Sequence, residues 1–420
     1  MSHVHVIGAG LAGLSAALAL SEAGWTVTLY ESGPAAGGRC RSYFDRELGM
    51  RIDNGNHLLL SGNRSTFAYV KAIGATDRFG GPTRALFPFI DLKTGDRWTL
   101  RPNRGPLPWW IVSADRRVPE TRLSDYAGLL GISRVKDDTV VAESMRRGRL
   151  YWRLVEPLAI AALNTRPQAA LARLLGAVMR ETLLRGGGAC IPRFPREGLS
   201  EALIDPALAL LASRGATVHC NRRITAIRTA GGRAVTLETA EGPVAVQPGD
   251  AVVVATPPWI ATELLPRLVA PNEFEAIVNV HFKLEADPDG PASEAGFVGV
   301  LEGVAEWVFV KTGHVSVTIS AANALVDDPA RALATAVWPN VCAALDLPYD
   351  PDEPMPPYRV VKERRATFAA TAVQERRRPV ARTPLANLVL AGDWTATGLP
   401  ATIEGAIRSG RTAAGVLKAG

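Results

Sequence analysis

Residues 4–39, VHVIGAGLAGLSAALALSEAGWTVTLYESGPAAGGR, decide the fold. The stretch reads as strand, glycine turn, helix, strand. His3 to Ile7 is a short β-branched run, and Gly8, Gly10 and Gly13 supply G-x-G-x-x-G where a strand must turn into a helix. Gly8 permits the tight turn, Gly10 lets the backbone approach a diphosphate that a Cβ would block, and Gly13 lets the helix lie close to the sheet. Unpaired N–H groups and the macrodipole favour negative charge at such a helix start, so Gly8, Gly10, Leu11, Ala12 and Gly13 are expected around a dinucleotide diphosphate. Leu11, Leu14, Ala17, Leu18 and Leu20 keep the helix apolar, Gly24 stops it, and Val27 to Tyr30 is the second strand. Glu31, 18 residues beyond Gly13, stands where a carboxylate accepts hydrogen bonds from adenosine ribose hydroxyls, with Ser32 beside it.

Gly37, Gly38 and Arg39 follow the acid closely. The run SGPAAGGRCRS resembles the extension found in FAD enzymes of the amine oxidase and carotenoid desaturase group. The glycine pair allows a second close backbone approach, and Arg39 or Arg41 brings positive charge to a phosphate. In related FAD proteins a strand near Ile224 pairs its backbone with the adenine ring. DAVVVATPP, residues 250–258, reads as a buried parallel strand that stops at Ala255, Thr256 and Pro257 and opens on the cofactor crevice. At the other end of the chain, Asn387 to Leu390 is a strand that Ala391, Gly392 and Asp393 turn into a glycine and proline loop. Asp393 is placed to hold ribityl or phosphate-side hydroxyls. Ala401, Thr402 and Ile403 begin a helix whose positive end points at the flavin pyrimidine.

The 420 residues suffice for about two domains, and the 47% apolar and 21% charged fractions are those of a folded globular protein. A formal charge of +6 with scattered arginines argues against nucleic acid and permits attraction to an anionic membrane surface. Cys40, Cys190, Cys220 and Cys342 are far apart, so no zinc site and no disulfide framework is indicated, and reduced thiols in the cytoplasm are the simpler reading. Without a leader or an apolar run long enough to span a bilayer, the protein is expected to be cytoplasmic, soluble or peripheral on a membrane face.

In RIDNGNHLLL, residues 51–60, Asp53, Asn54, Gly55, Asn56 and His57 form a dense polar cluster that is either a loop against a cofactor ring or an Asx turn. FPFIDLKTGDRWTL, residues 87–100, has a hairpin signature. Leu107 to Val112 is a proline-stiffened apolar knob between arginines; Trp109 and Trp110 there either meet the interfacial zone of a membrane or cap a core. Residues 123–184 are mostly helical in pattern, and Tyr151 to Leu163 is apolar nearly all round. Thr217 to His219 and Ile224 to Ile227 read as short strands; Asn279 to Leu284, Trp307 to Ile319 and Lys362 to Phe368 predict an antiparallel sheet. His57, His281 and His314 show no metal constellation.

The blocks RSYFDRELGMRIDNGNHLLLSGN, FPFIDLKTGDRWTLRPN, PLPWWI, EPLAIAALNT, VVKERRATFAAT and NLVLAGDWTATGLPATIEGAIRSGR, spread over nearly the whole chain, resemble the hydroxysqualene dehydroxylase family, squalene-associated FAD enzymes of bacterial hopanoid pathways within the amine oxidase and carotenoid desaturase superfamily. The resemblance implies an isoprenoid substrate, reductive removal of an allylic hydroxyl by reduced flavin, and upstream squalene-pathway enzymes as partners. Asp53, His57 and Glu404 are the candidate proton donors, in segments expected near the ring. The cofactor motifs alone leave a phytoene desaturase-like oxidation or a flavin amine oxidase open. The expected architecture is α/β: a Rossmann-like FAD domain of the glutathione reductase and amine oxidase type from residues 1–85, 195–270 and 385–420. An α+β substrate domain with helices and an antiparallel sheet is interleaved, from residues 86–194 and 271–384.

Overall fold

The structure, a computed structural model, describes residues 2–419. Strand His3–Ile7 pairs in parallel with Thr26–Tyr30 on one side and Ala251–Val254 on the other. Thr217–His219 and Leu388–Leu390 extend this to a five-stranded parallel sheet, so one sheet is assembled from three distant parts of the chain. Both faces are covered, which is why Ala251–Val254 is apolar at every position. On one face, helix Leu11–Glu22 packs against the last helix, Ile403–Lys418. The two cross so closely that a Cβ on Gly410 would overlap the Ala12 carbonyl oxygen, and the Ser15 hydroxyl donates to the Ile407 carbonyl at 2.9 Å.

The other face lies under a three-stranded antiparallel meander, Ile224–Ala230, Arg233–Thr239 and Gly242–Ala245. Only its start was legible as strand. Gly231 and Gly232 make the first turn with φ of 55° and 73°, and most of the residues beyond Ile224 face solvent, so no apolar alternation marks the strands.

A second, seven-stranded sheet runs in the order Tyr358–Phe368, Phe274–Lys283, His314–Ile319, Trp307–Lys311, Phe297–Leu301, Phe87–Asp91, Arg97–Leu100. All neighbours are antiparallel except Phe297–Leu301 with Phe87–Asp91. Residues 307–319 form a hairpin turning at Thr312 and Gly313. Helix Ala330–Leu345 covers one face. Helices Ala127–Arg134, Glu156–Leu163 and Ala172–Glu181 pack on the aromatic end of the other. A π-helical turn, Tyr151–Val155, leads into Glu156–Leu163. Only Ala159 and Leu163 of that apolar helix are fully buried.

The two adjacent tryptophans part company. Trp110 is a core residue, 3% exposed and edge-on to Tyr126 at 5.3 Å, whereas Trp109 is 68% exposed between exposed Leu107 and Val112. Trp110 is therefore corrected from membrane candidate to core. Among the described residues no helix is long and apolar enough to cross a membrane.

Candidate active site

The glycine turn closes as its spacing demands. Gly8, at φ 103°, donates to the Tyr30 carbonyl at 2.8 Å, and a Cβ on it would lie 2.7 Å from the Ala255 carbonyl oxygen. A Cβ on Gly13 would overlap the Gly8 carbonyl. Gly10 differs: a Cβ there meets no protein atom within 4 Å, although it begins a 12-residue helix that no side chain caps. Protein packing does not require glycine at that point, and the space beside it is free of protein atoms. Gly37 bridges to Gly10, and Gly38 lies over the Gly10 Cα, so the second glycine pair forms the opposite wall of the same cradle.

Glu31 accepts from the Ala9 N–H at 3.0 Å and the Gly33 N–H at 2.7 Å, which leaves acceptor capacity on both oxygens. Ser32 is exposed beside it. Residues 219–222 run alongside, with Glu31 donating to His219 and Arg222 to Glu31, and so bring buried Ile224 to this end of the cradle. Ala255 donates to Ile7 at 2.8 Å, and Thr256 accepts from the Trp394 indole at 2.9 Å. Pro257 caps helix Pro258–Leu264. Strand end and Gly-Asp turn are thereby joined. Gly392, at φ 153°, leaves the room that the Trp394 indole fills.

Arg39 and Asp393 were expected to face different parts of a cofactor, and they face each other, Nη2 to Oδ1 at 2.7 Å. Arg39 also donates to the Ala366 carbonyl at 2.6 Å. Its charge is matched by a carboxylate of this chain. Arg41 donates to the Gly38 carbonyl. Arg378, which carried no sequence signal, organises the Gly-Asp loop from a buried position: it donates to the carbonyls of Asp393 and Thr395 and the hydroxyl of Thr397, pairs with Glu375 at 2.7 Å, and stacks on Phe368 at 4.8 Å. Beyond the loop, behind Ala401, the Thr402 hydroxyl accepts from Gly405 N–H and fixes the start of the helix at Ile403.

The loop at residues 53–57 lies against the polar half of the seven-stranded sheet. Asn54 holds the 39–41 turn through the Arg39 carbonyl and Arg41 N–H, Gly55 faces Asn279, and Asn56 donates to Ser316 and Thr318 at 2.7 and 3.0 Å. The aromatic half of the same face carries Phe297, Phe309 and Trp307, packed with Phe194. Strand register sets this division, since Asn279, Thr318 and Trp307 are directly paired in one row. No sequence pattern announced it.

Two of the three expected proton donors are engaged elsewhere. Glu404 accepts from Ser65 N–H, Thr66 N–H, the Thr66 hydroxyl and Arg408, and so caps helix Arg64–Ala72. Burial pushes its pKa up, and these bonds more than offset that, leaving it below the ordinary value. Asp53 accepts from Ser42, Leu199 N–H and Lys311. Burial opposes its charge as well, and Lys311 and the Leu199 N–H prevail and lower its pKa. Both shifts favour the charged carboxylate. His57 lies between Asp53 and the Arg39 carbonyl, with burial holding it neutral below its usual range. A carboxyl the sequence did not mark, Glu306, accepts from Ser320 N–H at 2.7 Å, and burial pushes it up to about 7.

A parallel sheet with a glycine cradle at one strand end, a Gly-Asp loop beside it and a second sheet over both define a dinucleotide-dependent flavoenzyme. A family model described as flavin containing amine oxidoreductase matches residues 11–417, and the chain belongs to that family. It is an FAD-dependent oxidoreductase. The chain is 48% identical to hydroxysqualene dehydroxylase of Rhodopseudomonas palustris, over 99% of this chain and 98% of that one. It is 46% identical to hydroxysqualene dehydroxylase of Sinorhizobium fredii, over 98% and 97%. Putrescine oxidase bound to putrescine superposes with a TM-score of 0.72 over 100% of this chain and 99% of the other, at 15% identity, a likeness of fold alone.

Proposed function

We propose that the protein reductively dehydroxylates hydroxysqualene to squalene. The observation that carries this is the 48% identity along nearly the whole length of a protein so named. Loss of the allylic hydroxyl as water, after protonation, leaves a delocalised cation, and reduced FAD held by these residues would supply the hydride to quench it. The chain's own tasks are to hold the cofactor, keep the site dry and deliver one proton.

Gly8, Gly10, Leu11, Ala12, Gly13, Gly37 and Gly38 are assigned to the diphosphate. Glu31, Ser32 and Ile224 are assigned to the adenosine, and Asn54, Gly55, Asn56, Ala255, Thr256, Pro257, Gly392, Asp393, Ala401, Thr402 and Ile403 to the flavin side. Arg39 acts there by holding Asp393 in place. The division into residues 1–85, 195–270 and 385–420 for FAD, and 86–194 and 271–384 for substrate, belongs to the same reading. The half-covered apolar helix Glu156–Leu163 offers surface to an isoprenoid chain. His57, held neutral by burial in the 53–57 loop, and Glu306, raised to about 7 by burial, are the two candidate proton sources. Leu107, Trp109 and Val112, flanked by Arg104, are the surface for peripheral membrane contact, from which a greasy substrate is drawn.

Anaerobic mixing of the photoreduced protein with hydroxysqualene tests the reaction: flavin reoxidation with squalene formed supports it, and a reduced flavin that stays inert overturns it. Flotation with anionic liposomes tests the membrane contact, which is lost from the proposal when Trp109→Ser floats as well as the native chain.

A further inference from the structure

At the end of the parallel sheet remote from the glycine turn, His3 and His5 point to one face because they stand two apart in a strand. Asp250 reaches them from the residue before Ala251–Val254, the neighbouring strand. His3 Nδ1 lies 3.8 Å and His5 Nε2 3.7 Å from Asp250 Oδ2, and the three atoms all lie within 4.8 Å of one another. These separations are too long for hydrogen bonds. The remaining ring nitrogens are engaged: His3 Nε2 with the Thr28 hydroxyl at 2.9 Å and His5 Nδ1 with the Tyr30 hydroxyl at 3.1 Å. His5 is 2% exposed and its Nε2 is buried with no partner. The Gln247 N–H donates to Asp250 Oδ2 at 2.9 Å and fixes the carboxylate.

We propose that His3 Nδ1, His5 Nε2 and Asp250 Oδ2 bind one divalent transition-metal ion of the zinc class. Zinc bonds to nitrogen and oxygen are about 2.0 to 2.2 Å long, so one ion bridges atoms 3.7 and 3.8 Å apart at an obtuse angle that a distorted tetrahedron accommodates. His5 Nε2 is a buried nitrogen that no hydrogen bond satisfies, and a cation would satisfy it. Metal-bound imidazoles engage their second nitrogen in a hydrogen bond that fixes the ligating tautomer, and both histidines do so here. Two imidazoles and one carboxylate suit zinc rather than magnesium or calcium. Partly exposed His3 leaves a side open for a water ligand. The ion would tie the start of the strand that carries the glycine turn to the start of the strand that ends at Thr256, stiffening the sheet from behind the cofactor.

Untagged, FAD-loaded protein stripped by chelator dialysis is titrated with ZnCl2 against a chromophoric chelator, and melted with and without the metal. One equivalent bound, a raised melting temperature with ZnCl2 and none with MgCl2 are expected. His3→Gln, at the partly exposed position, and Asp250→Asn each weaken binding by about tenfold or more and remove the melting shift. No bound equivalent, or equal binding and an equal shift in both variants, overturns the proposal and assigns any zinc to other groups such as exposed Cys220.

Discussion

Replacing Glu404 by glutamine separates a structural carboxylate from a chemical one. Its oxygens accept from Ser65 N–H at 2.9 Å, Thr66 N–H at 2.8 Å, the Thr66 hydroxyl at 2.8 Å and Arg408 at 3.0 Å. Glutamine keeps one acceptor oxygen and turns the other into an NH2, so either orientation of the amide aims a donor at a backbone N–H. The hydroxyl can rotate to accept; the N–H cannot. A hydrogen bond to a charged group contributes about 1.5 to 3 kcal/mol, and losing one such bond at a buried site costs about 2 to 3 kcal/mol. Unfolding entropy near 2 cal/mol/K per residue over 420 residues converts this to a fall in Tm of about 2 to 4 °C. The pH dependence follows from the depressed pKa of the folded state. A lowered carboxylate stabilises above its unfolded pKa, and this is lost as pH falls through the folded one. The gap between native and Glu404→Gln is therefore full at pH 7 and closes below about pH 4, near the unperturbed glutamate value. Melts of the FAD-loaded proteins at both pH values, with squalene formation per bound flavin at 25 °C, make the assay. Unchanged melting at pH 7 with turnover lowered a hundredfold or more would refute the reasoning and return Glu404 to the chemistry.

Gly10→Ala leaves apoprotein melting within about 1 °C while weakening FAD binding at least tenfold, because its methyl enters only ligand space; Gly13→Ala yields little folded protein, because its methyl meets the Gly8 carbonyl. Flavin fluorescence titration of the purified variants checks the pair. Glu306, raised to about 7, costs stability as pH rises from its unfolded value through 7, so Glu306→Gln flattens the Tm profile between pH 5 and 8 and lifts Tm at pH 8 by about 2 °C. Under the proposal that Glu306 gives the proton, the same variant also loses turnover at every pH. Trp110→Ala costs about 3 to 5 kcal/mol as a buried aromatic, and Trp109→Ala less than about 0.5 kcal/mol; urea melts distinguish them.

What could be read ahead of the structure was local. Gly8 and Gly13 are dictated by contacts within a few residues or across one strand pair, and the pattern G-x-G-x-x-G states them directly. The buried runs at Val4–Ile7 and Ala251–Val254 announce a sheet covered on both sides. Whatever depends on distant partners was not legible. Glu404 sits at the start of a helix expected near the flavin, yet it bonds to Ser65 and Thr66, more than 300 positions away. Arg39 found Asp393 in the same way. Trp109 and Trp110 are neighbours in a short 3-10 turn, whose tight winding sends adjacent side chains to opposite environments, and composition cannot choose between them. Arg378 and Glu306 draw their character from burial, which a charged letter in a sequence conceals.

The central sheet takes its last strand, Leu388–Leu390, from a segment synthesised after all four of its other strands. Until that segment emerges, Ala251–Val254 presents an open, wholly apolar edge, and the first helix lacks the neighbour whose Gly410 it touches. The nascent protein must wait through most of its synthesis with its oldest element incomplete. Premature termination even a short distance upstream should therefore yield aggregated, colourless product rather than a weakened enzyme, and coenzyme supply during translation should matter more to yield than coenzyme added after lysis.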